Sequence, residues 1–194
     1  MPSKKYSGKA IGTILRELLN EGEEVEIDGL GLFRPRTGGA FDFVPETKPR
    51  LFLAYTAEDL PAVKMLYDSL VTAGCQPWLD REKLLPGQNW PRSIERAIHM
   101  SDFFIPCFSK RSANKPGGFH SEMRYALDCA SRLPLDDIFI MPVRIDHCRV
   151  PDRITAQIQY VDLFPDWKHG FDRLISSMRN EMKNRRRQLL ELAC

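Results

Sequence analysis

The pattern of apolar and polar positions changes character at Arg50. Beyond that residue, short apolar runs alternate with segments of helical spacing. Apolar runs of this length predict strands that are buried on both faces, and they lie at 50–55, 75–80, 102–109, 137–146 and 159–164. The segments between them predict helices at 58–74, 89–101, 119–133 and 167–193. This alternation is typical of an α/β fold, with a five-stranded parallel sheet and helices on both faces.

The first 49 residues follow a different pattern. Apolar residues recur at helical spacing from Ile11 to Leu19 and stop before Gly22. Short β-like runs follow, separated by glycine turns, and the segment "PETKP" at 45–49 is typical of a linker. We therefore expect a small α+β module at 1–49, a larger domain at 50–182 and a basic helical extension at 183–194.

Composition narrows the class of protein. Of the 194 residues, 43% are hydrophobic and 28% are charged, which is typical of a soluble globular protein. No apolar run approaches the roughly 20 residues that a membrane span needs, and the start lacks an apolar signal segment, so a cytoplasmic location is expected. The net charge of +2 does not by itself imply a polyanionic partner. The five cysteines contain no CxxC spacing, and no metal site is predicted.

Candidate chemistry is sought in the loops that follow the predicted strands, because parallel sheets bind ligands at the carboxyl ends of their strands. These loops read "TAED", "DREKLLPGQNW", "SKRSANKPGGF" and "DHCRVPDR". None contains a GxGxxG or GxxxxGK[ST] motif, and the chain has no HExxH or GxSxG. The familiar dinucleotide, nucleotide and hydrolase motifs are therefore absent.

Five segments, in this order, resemble the TIR (Toll/interleukin-1 receptor) domain in its bacterial form. They are "RLFLAYTAED", "PWLDREKLLPGQNWPRSIERAI", "DFFIPCFS", "GGFHSEMRYALD" and "IFIMPVRIDHCRVPDRITAQIQYVDLF". The resemblance covers roughly 50–182 and implies a flavodoxin-like fold. Many bacterial, plant and some animal members cleave NAD+ to nicotinamide and ADP-ribose or its cyclic forms. The resemblance thus implies NAD+ as a substrate, no separate cofactor, and a role in bacterial anti-phage immune signalling.

The resemblance also implies a catalytic residue. In enzymatic members one glutamate in the helix after the third strand is catalytic, and Glu122 in "FHSEM" occupies the matching position. A single carboxylate suffices chemically, because nicotinamide leaves NAD+ as a neutral pyridine and needs no general acid. The carboxylate's task is to orient the ribose and stabilise the developing oxocarbenium-like charge.

Further site residues are implied by the matching positions of the family. The implied substrate-binding residues are Tyr55, Thr56, Asp80, Lys83, Gly87, Trp90 and Phe119. Four of them, Asp80, Lys83, Gly87 and Trp90, belong to "DREKLLPGQNW", which matches the family's BB loop, a segment that borders the nucleotide site and mediates TIR–TIR assembly. Many active members carry a tryptophan four residues before the glutamate, where this chain has Gly118.

Two alternatives to an enzyme remain at the level of the TIR domain. A catalytically silent TIR adapter, acting through TIR–TIR interactions, is kept open by Gly118. Asp80 at a strand end could instead imitate the phosphoacceptor of a receiver domain, but the neighbouring acid pair and lysine of that chemistry are not evident. If the chain is an enzyme, the resemblance implies a homo-oligomer or filament assembled through the BB loop.

The amino-terminal segment has a resemblance of its own. Residues 10–33 resemble the helix-to-strand portion of HU/IHF-type DNA-binding proteins, but "RPRTGG" stands where those proteins have a long basic arm. Residues 1–49 carry seven Lys/Arg against eight Asp/Glu, so phosphate binding should be weak. Because HU-type cores are dimers, we favour oligomerisation or reception of a partner over DNA sensing. The basic run "KNRRR" at 183–187 is expected to be a solvated helix end rather than a nucleic-acid contact.

Overall fold

The computed structural model describes residues 8–79, 89–112, 118–133 and 137–192. Contacts divide the chain into two units. One contains the residues up to Thr47 and those from Lys183 onward, and the other is Lys48–Met182. The first unit holds α1 (Gly8–Asn20), β1 (Val25–Ile27), β2 (Gly31–Pro35) and β3 (Phe41–Pro45). The second begins with β4 (Arg50–Ala54), a 3₁₀ turn (Ala57–Asp59), α2 (Leu60–Thr72), β5 (Gln76–Trp78), α3 (Trp90–His99) and β6 (Phe103–Phe108). It continues with α4 (Gly118–Ala130), β7 (Val143–Arg144), α5 (Asp152–Thr155) and β8 (Val161–Asp162), and α6 (Trp167–Leu192) ends in the first unit's residues.

Strands of the second unit form a parallel sheet in the order β5-β4-β6-β7-β8, which confirms the predicted α/β class. Leu51 of β4 pairs with Phe103 of β6, so the two central strands run side by side. The strand predicted over 137–146 pairs only through Ile140 and then Val143–Arg144. Pro142 separates these two stretches, and a proline has no N–H to donate to the ladder.

Both faces of the central strands are covered, as their apolar runs predict. Alternate residues of β4 and β6 face opposite sides, and all six residues of β6 are buried. One side packs against α2 and α6 through Leu51, Leu53, Phe103, Ile105, Val63, Leu66, Leu70, Leu174 and Met178. The other side packs against α3 and α4 through Phe52, Ala54, Phe104, Phe108, Ile98, Met123 and Ala126. The sheet therefore sits in the middle of a three-layer core.

An arginine joins the last two strands of the sheet. Arg144 ends β7 and donates hydrogen bonds to both carboxylate oxygens of its register partner Asp162, at 2.5 and 2.8 Å, and to the Cys148 carbonyl at 2.7 Å. Its guanidinium also lies over the rings of Tyr160 and Phe164, 4.7 and 5.2 Å from their centroids. A flat, forked cation fits this arrangement, whereas a compact ammonium does not.

We expect Arg144→Lys to lower the free energy of unfolding by about 1–2 kcal/mol, since lysine keeps the charge but loses the two-pronged bond and the ring contacts. Urea unfolding of the variant and the wild type measures this difference. Arg149→Lys is the matched control, because the pair of Arg149 with Asp152 is exposed and should contribute little. Equal midpoints for the two variants would contradict the assignment.

The three strands of the first unit form an antiparallel sheet in the order β1-β2-β3. Its register aligns Val25, Phe33 and Phe43 on one face, and the rings of Phe33 and Phe43 stack with centroids 4.5 Å apart. Gly31 has a φ of 142°, and a Cβ there would collide with the Val44 carbonyl oxygen. The "GLG" turn into β2 therefore requires this glycine.

Part of the basic run at 183–187 is paired within the first unit. The Glu26 carboxylate accepts a hydrogen bond from Arg186 Nη2 at 2.5 Å, and Lys183 Nζ lies 3.2 Å from its other oxygen. Arg186 is only 6% exposed. The expectation of a solvated helix end is therefore wrong for Arg186, because its side chain is buried and hydrogen-bonded to Glu26, 160 residues away in sequence.

Glu26 should make stability depend on pH. Burial raises its pKa, but hydrogen bonds from Arg186 and Lys183 outweigh burial and hold the pKa below its usual value. A carboxyl with a lowered folded-state pKa stabilises above its unfolded pKa, and this contribution is lost as pH falls through the folded value. We expect Glu26→Gln to cost about 2–3 kcal/mol at pH 7, since Arg186 then loses its charged partner.

This cost should shrink steadily as the pH is lowered below the ordinary glutamate value, which urea unfolding at pH 7 and at acidic pH measures. Glu23→Gln is the control, because Glu23 is exposed. If the difference in free energy of unfolding between Glu26→Gln and the wild type does not change with pH, the charge of Glu26 does not contribute to stability.

None of the helices in the described ranges is long and apolar enough to cross a membrane.

Candidate functional site

The carboxyl ends of three adjacent strands carry the polar residues of the candidate site. Residues 55–59 follow β4, residues 109–112 follow β6, and Asp146 follows β7. Because β4, β6 and β7 are neighbours in the parallel sheet, their loops meet at one edge. This edge is the one at which sequence analysis places ligand binding.

A buried carboxylate links the first two loops. Asp59 is 6% exposed, and its Oδ2 accepts hydrogen bonds from the hydroxyls of Thr56, at 2.6 Å, and of Ser109, at 2.5 Å. The Ser109 hydroxyl in turn accepts from the backbone N–H groups of Arg111 and Ser112, both at 3.0 Å. The chain of donors runs from backbone amides through a hydroxyl to a carboxylate, an arrangement in which each bond polarises the next.

Further hydrogen bonds tie the same loops together. The Arg111 guanidinium donates to the Glu58 carbonyl at 2.7 Å, across the gap between the loops after β4 and β6. The Lys110 N–H donates to the Asp146 carboxylate at 2.9 Å, which connects the loop after β6 to the loop after β7. Ser112 is also buried and accepts from the Ser109 N–H at 2.8 Å. The described part of this edge is therefore held by side chains as well as by the sheet.

Glu122 lies in α4, the helix that follows β6. It is the fifth residue of that helix and is half-buried. Its neighbours Met123 and Ala126 are buried among Phe52, Phe104 and other residues on one side of the sheet. Glu122 is thus placed at the border between the packed side of α4 and solvent, where a carboxylate is partly withdrawn from water.

The other predicted site residues fall into three groups. Tyr55 and Thr56 follow β4 directly and are half-buried, with Tyr55 packed against the cluster that includes Leu51. Trp90 is the first residue of α3 and Phe119 the second of α4. Asp80, Lys83 and Gly87, in the segment that matches the BB loop, lie outside the described residues. Tyr55 and Thr56 therefore lie at the carboxyl end of β4, and α4 is the helix that follows β6, the strand beside β4.

Sequence reasoning missed the residues that hold this edge together. It treated "TAED" and "SKRSANKPGGF" as loops with no stated interaction, whereas Asp59 and Ser109 are hydrogen-bonded across 50 positions of sequence. The available signal was that Ser109 ends one apolar run, and Asp59 lies four residues beyond another, and that the two runs could be adjacent strands.

The cysteines near this edge are not suited to nucleophilic chemistry. Burial, with a contribution from the Asp59 charge, raises the pKa of the Cys107 thiol far above its usual value. Burial, followed by the charge of Asp146, raises the pKa of Cys148 to about 11. Both thiols stay protonated at neutral pH, and a thiol is a poor nucleophile. In the described ranges no group of three or more His, Cys, Asp or Glu could hold a metal ion.

Comparison with known proteins gives a consistent result. A family model described as "TIR domain" matches residues 51–175. The TIR domain of the Toll-related receptor TRR-2 from Hydra magnipapillata superposes with a TM-score of 0.52 at 20% identity, covering 65% of this chain and 97% of that one.

Two further solved structures share the fold. The TIR domains of the activated Roq1 resistosome, which directly recognises the pathogen effector XopQ, give a TM-score of 0.52 at 18% identity and cover 70% of this chain and 99% of that one. A prokaryotic SEFIR domain gives 0.50 at 15% identity, over 66% of this chain and 97% of that one. No curated protein matches the chain. At these identities the structural likeness establishes the fold.

Proposed function

The chain belongs to the TIR domain family, and from this premise we propose that it cleaves the bond between nicotinamide and ribose in NAD+, as a glycohydrolase or an ADP-ribosyl cyclase. The observation that carries the proposal is the position of Glu122. It is half-buried in the helix that follows β6, and β6 pairs with β4, the strand that Tyr55 and Thr56 follow.

The proposed reaction requires this carboxylate and loops at the edge of the sheet that hold the substrate. In NAD+ the nicotinamide ring carries a positive charge and departs as a neutral molecule, so positive charge moves onto the ribose in the transition state. A fixed carboxylate that is partly removed from water stabilises that charge more strongly than it would in bulk solvent. In this proposal the loops that carry Thr56 and Ser109, joined through hydrogen bonds to Asp59, form one wall of the substrate site. The substrate contacts of Asp80, Lys83, Gly87, Trp90 and Phe119 are part of the same proposal.

Self-association is proposed to be part of activity. The resemblance implies TIR–TIR assembly through the BB loop. The first unit supports association independently, because Ile11, Ile14, Phe41 and Phe43 are each 41–53% exposed. A groove of about 330 Å³ lies between α1 and the β2–β3 turn, and residues including Leu15, Leu19 and Phe41 line it. The proposal is that these side chains form one interaction surface, since a contiguous apolar patch marks such a surface.

DNA sensing by the first unit is less well supported. The two arginines of "RPRTGG" are both engaged by acids, Arg34 with Glu24 at 2.5 Å and Arg36 with Asp42 at 2.7 Å. Paired arginines contribute little to phosphate binding, which depends on uncompensated positive charge. Absence of salt-dependent DNA binding would exclude this function.

The test of the proposal is nicotinamide release from NAD+ by purified protein, over a range of protein concentrations, with and without a crowding agent. We expect release, and we expect the rate per molecule to rise with concentration if the site is completed by assembly. If no release occurs under any of these conditions, the silent TIR adapter becomes the better description. A role in bacterial anti-phage signalling rests on the resemblance and would be tested by phage challenge of cells that express the chain.

A further inference from the structure

Asp59 lies at a position where an aspartate usually caps a helix, but the structure does not support that role for it. It is the residue immediately before α2, where aspartate commonly accepts a hydrogen bond from the first backbone N–H groups of the helix. The Asp59 side chain makes no such bond. Its carboxylate is directed instead to the hydroxyls of Thr56 and Ser109. Helix capping therefore does not account for this residue.

Burial of this carboxylate also carries a cost. Among the described residues no lysine or arginine pairs with Asp59, and its hydrogen bonds come from two hydroxyls. A buried carboxylate without a cation is unfavourable unless hydrogen bonds compensate it. Both bonds reach the same oxygen, so this atom is the point at which the loop after β4 meets the loop after β6.

The two loops joined at this atom flank the proposed NAD+ site. Tyr55 and Thr56 lie on one of them, and the other begins at Ser109 and leads toward the helix that carries Glu122. Ser109 also holds the backbone N–H groups of Arg111 and Ser112. Loss of the Asp59 oxygen would release the Ser109 hydroxyl and, with it, the start of the second loop.

We propose that Asp59 is a positioning residue that fixes these two loops relative to each other and thereby sets the geometry of the site. The role in turnover rests on the proposed NAD+ cleavage; the fixing of the loops does not. Asp59 acts through Thr56 and Ser109, and the acceptor oxygen, rather than the negative charge, is what the role requires. An asparagine can place its amide oxygen where Oδ2 now lies and accept both hydroxyl bonds.

The experiment compares Asp59→Ala with Asp59→Asn in the full chain. We expect kcat/KM for nicotinamide release to fall about 10²-fold in Asp59→Ala, since displacement of site residues by an ångström costs about that much. Asp59→Asn should recover at least tenfold of the loss. Arg144→Lys serves as the control for lowered stability alone, and Ser109→Ala replaces Asp59→Ala if the alanine variant does not fold.

Amide hydrogen exchange gives a readout that does not require turnover. The N–H groups of Arg111 and Ser112 should exchange at least tenfold faster in Asp59→Ala and near the wild-type rate in Asp59→Asn. Unchanged exchange at these amides would overturn the proposal. Equal losses of activity in the two Asp59 variants would also overturn it, because turnover would then depend on the negative charge of Asp59 and not on its acceptor oxygen. Inactive wild-type protein would overturn only the proposed NAD+ cleavage, because the exchange comparison still decides whether Asp59 fixes the loops.

Discussion

Glutamine in place of Glu122 is expected to lower nicotinamide release from NAD+ by about 10²–10³-fold, the typical effect of removing one group that stabilises transition-state charge. Glutamine keeps the length and shape of the side chain, loses the negative charge and replaces one acceptor oxygen with an NH2 donor. The half-buried position of Glu122 makes the loss large, because charge that is partly withdrawn from water interacts more strongly. The effect should appear in kcat more than in KM, since the positive charge on the ribose develops during the reaction.

The measurement is single-turnover or steady-state release of nicotinamide at the protein concentration at which the wild type is most active. Glu95→Gln is the matched control, because Glu95 is an exposed glutamate on the neighbouring helix α3. We expect the control to retain wild-type turnover. Equal turnover in Glu122→Gln and the wild type would remove Glu122 from the mechanism and would redirect the search to other carboxylates of the same edge.

The sheet could be predicted from sequence because its central strands are almost entirely apolar. "RLFLAY" and "DFFIPCFS" contain almost no polar residue, and a strand covered on both faces requires that pattern. The strand over 137–146 was harder, because its composition is equally apolar but Pro142 interrupts the ladder. Local composition predicts that a segment is buried; it does not predict where its hydrogen bonds end.

The features that could not be predicted from sequence are polar contacts between residues far apart in the chain. Ser109 bonds to Asp59 and Arg186 bonds to Glu26, over separations of 50 and 160 residues. The local pattern predicts a strand end at Ser109 and a solvated helix end at Arg186, and it predicts a partner for neither residue. Burial of a polar side chain depends on a partner, and the partner's position follows only from the complete fold. Glu122, by contrast, was placed by an ordered set of motifs, so its role remains a prediction that rests on resemblance and position.

Alanine in place of Gly170 is expected to destabilise the second unit, although it would improve the helix in isolation. Gly170 is buried in the first turns of α6, and a Cβ there would collide with the Asp162 carbonyl oxygen and crowd the Leu163 Cα. Both obstacles are backbone atoms of β8 and the residue after it, so side-chain rotation cannot relieve them. We expect a loss of about 1–3 kcal/mol from overpacking, against a gain of about 1 kcal/mol in helix propensity.

Thermal unfolding of Gly170→Ala, followed by circular dichroism, measures the balance. Ser176→Ala is the control on the same helix, because Ser176 is exposed and alanine there should not lower the melting temperature. Gly12→Ala in α1 should have the opposite sign from Gly170→Ala, since nothing lies within 4 Å of a Cβ at Gly12 and only the gain in helix propensity remains. A melting temperature for Gly170→Ala at or above that of the wild type would mean that α6 can move away from β8 at little cost. The close approach of helix and strand would then not be what requires glycine at this position.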